Sequence, residues 1–353
     1  MPAYKDKKTG KWYCKFYYTD WMGVRRQKWK RGFSMKREAV LFERDFLQRQ
    51  TAGADILFRN LYENYLDEMS ARLKQSTLMI KKAICETKIL PCFGERVVSE
   101  ITAADVRRWQ NALLNSERNY AETYLKTINN QLATIMNYAQ KYYNLPRNPC
   151  EQAGSIGASR ADSMQYWTLE EFLAFREGVR DKKAAYLCFE ILYWTGIRGG
   201  ELLALMPEDI DFTKKEMHIV KTYQRLGGED VITEPKTKKS RRNVLLPDFL
   251  LEEIKKYMEE EKCNRAGARI FPYTRFFLDN EMKRGCRKTG VKKIRVHDLR
   301  HSHVSLLIDQ GFDPLLIADR VGHENVSTTL NTYAHLFPNR QKKMVAYLEN
   351  LGK

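Results

Sequence analysis

The sequence predicts a multidomain protein, mainly α with small β elements, on three observations. Its 353 residues exceed one ordinary domain. Residues 11–33 carry two runs of aromatic and basic strand formers on either side of a turn. From residue 56 onward apolar residues recur at helical spacing through most of the chain, and the pattern breaks only over residues 216–246.

Composition narrows the class. A hydrophobic fraction of 43% fills real cores, and 30% charged residues is too rich for a membrane protein. The start, Met1 to Asp6, has no apolar signal-like run, and no stretch approaches the roughly 18 apolar residues of a spanning helix. The expectation is a soluble, intracellular chain. Seven cysteines (Cys14, Cys85, Cys92, Cys150, Cys188, Cys263, Cys286) form no CxxC pair, which points to free thiols in a reducing cytosol. The formal net charge of +17 favours a polyanionic partner, and nucleic acid is the usual one. Residues 1–52 hold 14 Lys and Arg against 5 Asp and Glu, so +9 of the +17 sits there.

Residues 1–52 read as an N-terminal basic three-stranded sheet plus a helix. Lys11 to Thr19 is a strand, Asp20 to Gly23 a turn, and Arg25 to Phe33 a second strand. Ser34 is the expected N-cap of a helix to about Gln50, with Ala39, Phe42 and Phe46 on one face. So small a module needs a core, and Trp12, Tyr13, Phe16 and Trp29 are the candidates for it. Core packing does not account for the basic strand. Arg25, Arg26, Lys28, Lys30 and Arg31 are therefore the candidate DNA contacts, since a basic sheet backed by a helix can lay its strands in a groove.

Residues 56–150 read as all-helical. Leu125, Ile128, Leu132, Ile135, Met136 and Ala139 follow helical spacing. Thr102 caps another helix, with Asp105 favourably placed in its first turn. Asn148-Pro149 is expected to end the block, and the small, polar residues 151–163 to form a linker.

The remainder, residues 164–353, reads as a mixed α/β domain. Thr168 to Glu171 is a capping box. A helix over 183–195 stops at Gly196. Glu216 to Val220 and Arg242 to Leu246 are strands of an expected three-strand sheet, with Gly227-Gly228 and a basic run between them. Tyr193, Trp194 and Trp167 are expected in the core. His301 and His303 read as packing or capping residues of the helix beginning at His297.

Four spaced elements carry the chemistry: Thr195-Gly196-Ile197-Arg198-Gly199-Gly200-Glu201, Pro235-Lys236-Thr237-Lys238, His297-Asp298-Leu299-Arg300-His301, and Gly322-His323 followed by Tyr333. In this order and spacing they resemble the catalytic domain of tyrosine recombinases, the family of phage and conjugative-element integrases. The resemblance spans about residues 165–340 by motif. The helical block looks like the family's core-site DNA-binding domain, and residues 1–52 resemble the arm-site-binding domain of lambda-type integrases.

Chemistry supports the same residues. Cleaving a phosphodiester needs a nucleophile, charge on the non-bridging oxygens and a proton for the leaving oxygen. Tyr333 can be the nucleophile, and its phenol, with a reference pKa of about 10, must lose a proton as it attacks. Arg198 and Arg300 can each fork two N–H groups onto phosphate oxygens. Lys236, taken as lying on a hairpin tip, fits a general acid for the 5′ oxygen. His297 and His323 can donate to the phosphate or shuttle a proton, and Glu201 can orient the cations. His297 and His301 stand at i, i+4, a spacing that can ligate zinc, but Arg300 lies between them and no further ligand follows. The expectation is therefore no metal and no cofactor.

The resemblance implies cleavage and rejoining through a 3′-phosphotyrosyl bond and a Holliday junction. It also implies a homotetramer on double-stranded core and arm sites, assisted by a host DNA-bending protein and an excisionase, in the bacterial cytoplasm at the nucleoid. Residues 340–351 read as a short amphipathic helix that needs a surface to pack on, either its own catalytic domain or, as the resemblance implies, the neighbouring protomer of the tetramer. Three rivals are a chromosome-dimer resolvase, which usually lacks the N-terminal module, a silent DNA-binding regulator and a type IB topoisomerase.

Overall fold

The computed structural model describes residues 3–7, 9–19, 25–50, 54–159, 165–235, 237–263 and 265–326, together with 330, 333, 345, 348 and 349. The chain divides into two compact units, residues 1–162 and 163–353.

The first unit opens with an antiparallel sheet of β1 (Ala3–Lys5), β2 (Trp12–Thr19) and β3 (Arg25–Phe33), backed by α1 (Lys36–Gln50). The expected turn at Asp20 to Gly23 lies outside the described residues. Cys14, Phe16 and Ala39 are buried between sheet and helix, with Trp12, Phe33, Phe42 and Phe46 packed around them. Two residues expected in this core are not there. Pairing of Tyr13 with Arg31 and Lys15 with Trp29 puts Tyr13 and Trp29 on the opposite face, where Trp29 is 51% exposed. Nor does the Ser34 hydroxyl cap α1. The Glu38 carboxylate instead accepts from the Ser34 and Met35 N–H groups, at 2.9 and 3.2 Å.

Helices α2 (Phe58–Ser70), α3 (Gln75–Ile84), α4 (Leu90–Phe93), α5 (Ala103–Leu114), α6 (Glu122–Tyr142) and α7 (Pro149–Ala153) complete the unit. The predicted stripe of α6 is buried throughout, and Thr102 forms its capping box with Asp105. Asn148-Pro149 does not end the helical block. The Asn148 side chain accepts from Cys150 N–H and starts α7, with Pro at the first position. The expected linker is also partly packed structure. Gln110 donates to Gly154 O at 2.8 Å, and a Cβ at Gly157 would lie 2.2 Å from Glu122 O. Small residues stand there because the chain runs against α6, and residues 160–164 lie outside the described residues.

The second unit comprises α8 (Leu169–Glu177), α9 (Lys183–Thr195), α10 (Gly199–Leu202), β4 (Ile210–Asp211), β5 (Glu216–Ile219), β6 (Thr222–Leu226), β7 (Glu229–Thr233), β8 (Arg242–Leu245), α11 (Asp248–Glu260), α12 (Arg275–Thr289), α13 (Asp298–Asp309) and α14 (Pro314–Val321). Strands order as β4-β5-β8, the expected three-strand sheet, and β6-β7 form a separate hairpin. α9 is buried nearly all round, from Leu187 to Tyr193, so it forms the middle of the core. Trp167 and Tyr193 are buried in this core, with Trp194 packed against it. The seven cysteines are free thiols. No described helix is long and apolar enough to cross a membrane.

Candidate active site

α9 stops at Gly196, whose φ of +66° is left-handed and whose missing Cβ makes room for His303, 2.6 Å from where that atom would stand. The chain then extends through Arg198 into α10, and Glu201 folds back to accept from Arg198 N–H at 2.9 Å. The Glu201 carboxylate also takes Arg198 Nη1 at 2.7 Å and Arg242 Nη2 at 2.9 Å. Burial of Glu201, 3% exposed, works to raise its pKa. Arg242 and Arg198 outweigh burial and hold it below the ordinary glutamate value. Arg242 Nε in turn donates to Arg320 O at 2.8 Å, and Arg198 Nη2 reaches Gly322 O at 3.4 Å. One buried carboxylate thus ties α10, β8 and the end of α14 around the Arg198 guanidinium.

Arg300 comes in on α13. It is 3% exposed, and its Nη1 donates to Gly196 O at 2.9 Å. Its Nη2 has no hydrogen-bond partner among the described residues. Burial, then Arg198 and Arg242, lower its pKa to about 9, so it remains a cation at neutral pH. A buried, cationic, unoccupied donor is costly unless an anion comes to meet it.

Burial and nearby cations push the histidines of the site, His297, His301, His303 and His323, below the ordinary histidine value. Burial, then Arg300 and Arg198, press His323 down to about 4. His297 is exposed at the start of α13. Crowding by the protein, then His301, Arg300 and Arg198, shift it downward. His303 packs as expected and accepts from Arg320 Nε at 3.1 Å.

Tyr333 is 1% exposed, against Val304, Ile308, Ile317 and Val321. Burial raises its phenol above the ordinary tyrosine value, opposed by Arg300. Its Oη lies 2.5 Å from His301 Nδ1. His301 therefore does more than pack or cap, as the sequence had led us to expect. As the residue after Arg300 it attracts no notice, yet at i+4 from His297 it shares that histidine's helix face. Arg242 was missed too. The available signal was an arginine two residues from Val244 on β8, which places it on the same inward face as that buried valine.

Lys236 lies outside the described residues. The tip of the β6–β7 hairpin is Gly227-Gly228, both at positive φ. Of the tail 340–351, only Val345, Leu348 and Glu349 are described.

On the N-terminal sheet, strand alternation divides the five basic candidates. Arg25 and Arg31 share the face opposite α1 with Tyr13, Lys15, Tyr17 and Trp29. Arg26, Lys28 and Lys30 pair with residues of the α1 face. On the open face Arg31 sits 3.9 Å over the Trp29 ring and Arg25 4.7 Å over Tyr17. Lys28 instead lies 5.4 Å from the Phe46 ring of α1.

Residues 164–340 match the model of the phage integrase family, residues 2–50 an arm DNA-binding domain, and residues 57–114 the N-terminal SAM-like domain of phage integrases. The ICEBs1 integrase of Bacillus subtilis is 32% identical over 337 residues, covering 90% of this chain and 91% of the relative. A XerC-like tyrosine recombinase of Caldanaerobacter subterraneus is 26% identical, covering 72% of each chain. The fold resembles that of the Tn1549 transposon integrase, solved with transposon right end DNA. The TM-score is 0.68 and the identity 18%, over 84% of this chain and all of the other.

Proposed function

Because the chain belongs to the phage integrase family, we propose that it integrates and excises a mobile element by cutting and rejoining double-stranded DNA at Tyr333. One observation carries the site assignment. Arg198 and Arg242 share the Glu201 carboxylate, Arg300 lies close enough to feel both cations, and Arg300 Nη2 is left without a partner among the described residues. A phosphodiester supplies the missing anion.

In this reading Arg198 and Arg300 fork onto the non-bridging oxygens, where charge builds as Tyr333 Oη attacks phosphorus. His297 and His323, neutral in the free protein, donate hydrogen bonds to the same oxygens. Lys236 protonates the departing 5′ oxygen. Glu201 and Arg242 hold Arg198 in place. The bond energy is kept in the 3′-phosphotyrosine, and a free 5′-hydroxyl of the partner duplex reverses the step, leading to a Holliday junction and its resolution.

The three regions share the work: residues 1–52 bind arm sites, 56–150 core sites, and 164–353 do the chemistry. On the first, the aromatic and basic face bearing Arg25, Arg31, Lys15 and Trp29 is suited to lie against DNA, while Arg26, Lys28 and Lys30 add positive charge from the α1 side of the sheet. A homotetramer on DNA, a host DNA-bending protein and an excisionase complete the reaction, in the bacterial cytoplasm at the nucleoid. The test is a nicked suicide substrate carrying a core site. The protein should form a covalent complex and Tyr333→Phe should bind equally well without forming one. A covalent band from the variant overturns the assignment.

A further inference from the structure

A buried phenol must lose its proton to attack, and this site pushes the phenol's pKa up, not down. The candidate acceptors sort by what already occupies them. Glu201 is held by Arg198 and Arg242. Asp298 is held by Arg295, through both the guanidinium and the backbone N–H. The His297 ring stands perpendicular to that of His301, with centroids 5.5 Å apart. Among the described residues it is His301 whose ring nitrogen meets the Tyr333 oxygen, Nδ1 to Oη at 2.5 Å.

We propose that His301 is the base that takes the phenolic proton of Tyr333 on cleavage and returns it on religation. The inference rests on Tyr333 being the nucleophile. As the Oη–P bond forms and the P–O5′ bond breaks, the Oη proton passes to Nδ1. The 5′ oxygen takes its proton from the separate acid assigned to Lys236. In the reverse step the 5′-hydroxyl attacks and gives its proton to that lysine, the P–Oη bond breaks, and Oη recovers its proton from Nδ1.

The surroundings suit the task. Burial, then Arg295 and Arg300, keep His301 uncharged in the resting site, so its lone pair is free to accept. Asp298, one turn away on the same helix, faces the ring with the opposite charge and favours the imidazolium once it forms. Among the described residues His297 and His323 are also close by, both pushed below the ordinary histidine value. The helix geometry explains the pairing. His297, Arg300 and His301 line one side of α13, so the phosphate ligands and the base come from a single rigid element.

The experiment uses the full chain and a suicide core-site duplex, with single-site binding as the check on folding. His301→Ala and His301→Gln should cut about 10²–10⁴-fold more slowly while binding unchanged, the range expected for loss of a general base. A fluorinated tyrosine at position 333, whose phenol is more acidic, should restore most of the rate in His301→Ala. A substrate with sulfur in place of the 5′ oxygen should rescue Lys236→Ala but not His301→Ala. The wild-type rate should level off once His301 is deprotonated, and the His301→Ala rate should climb with pH toward the phenol's own titration. Wild-type cleavage by His301→Ala, or a defect that the fluorinated tyrosine leaves untouched, overturns the proposal. A covalent complex from Tyr333→Phe overturns the nucleophile assignment beneath it.

Discussion

Glu201→Ala should destabilise the second unit severely, and the structure sets the scale. Glu201 receives Arg198 N–H, Arg198 Nη1 and Arg242 Nη2, and the side chains of Arg242 and Glu201 are 7% and 3% exposed. Removing the carboxylate leaves Arg242 as a buried, unpaired cation. Breaking such a pair from one side costs about 3–5 kcal/mol. That is a large share of the roughly 5–15 kcal/mol by which a domain is stable. For a unit of this size each kcal/mol moves the midpoint by about 2–4 °C, so Tm should fall by about 10 °C. Glu201→Ala/Arg242→Met should melt above Glu201→Ala alone, because the stranded charge goes with the arginine. The stability also depends on pH in a fixed direction. The folded Glu201 pKa is depressed, so its stabilisation is complete above the ordinary glutamate value and fades as pH falls through the folded one. Circular-dichroism melts from pH 7 downward read both effects. A Glu201→Ala protein that melts within about 2 °C of the parent would refute the reasoning.

Arg300→Lys keeps the charge but cannot hold Gly196 O and a phosphate oxygen at once, so suicide-substrate cleavage should fall about 10²–10³-fold with core-site binding retained; an equal rate counts against the buried fork. Cleavage should survive saturating EDTA, since the arginines supply the charge, and a loss restored by magnesium or zinc would contradict this. Deleting residues 1–52 should spare core-site cleavage, abolish arm-site footprints and flatten the salt dependence, by about 0.9 in log–log slope for every phosphate that the module neutralises; an unchanged footprint rules the module out as an arm binder. Gly196→Ala places a methyl 2.6 Å from His303 at a left-handed φ, so it should cost at least about 1–2 kcal/mol in urea unfolding, and a neutral result would mean that His303 moves aside freely.

The sequence by itself determined the parts whose cause is local. Apolar spacing placed α6, capping residues opened α5 and α8, and Gly196 closed α9, because helix boundaries are set by side chains within a few residues of the end. Motif order made Arg198, Glu201, Arg300, His323 and Tyr333 candidates before any coordinates. Tertiary structure decided what depends on approach between distant segments. It put Tyr13 and Trp29 on the open face of the sheet, because register decides which side a strand residue takes, and turned part of an apparent linker into chain packed on α6. It also brought Arg242 to Glu201 across 41 positions and His301 to Tyr333 across 32. Neither pairing leaves a periodic signal in the chain, because a contact between separate elements is fixed by how they pack, and packing is a property of the whole core.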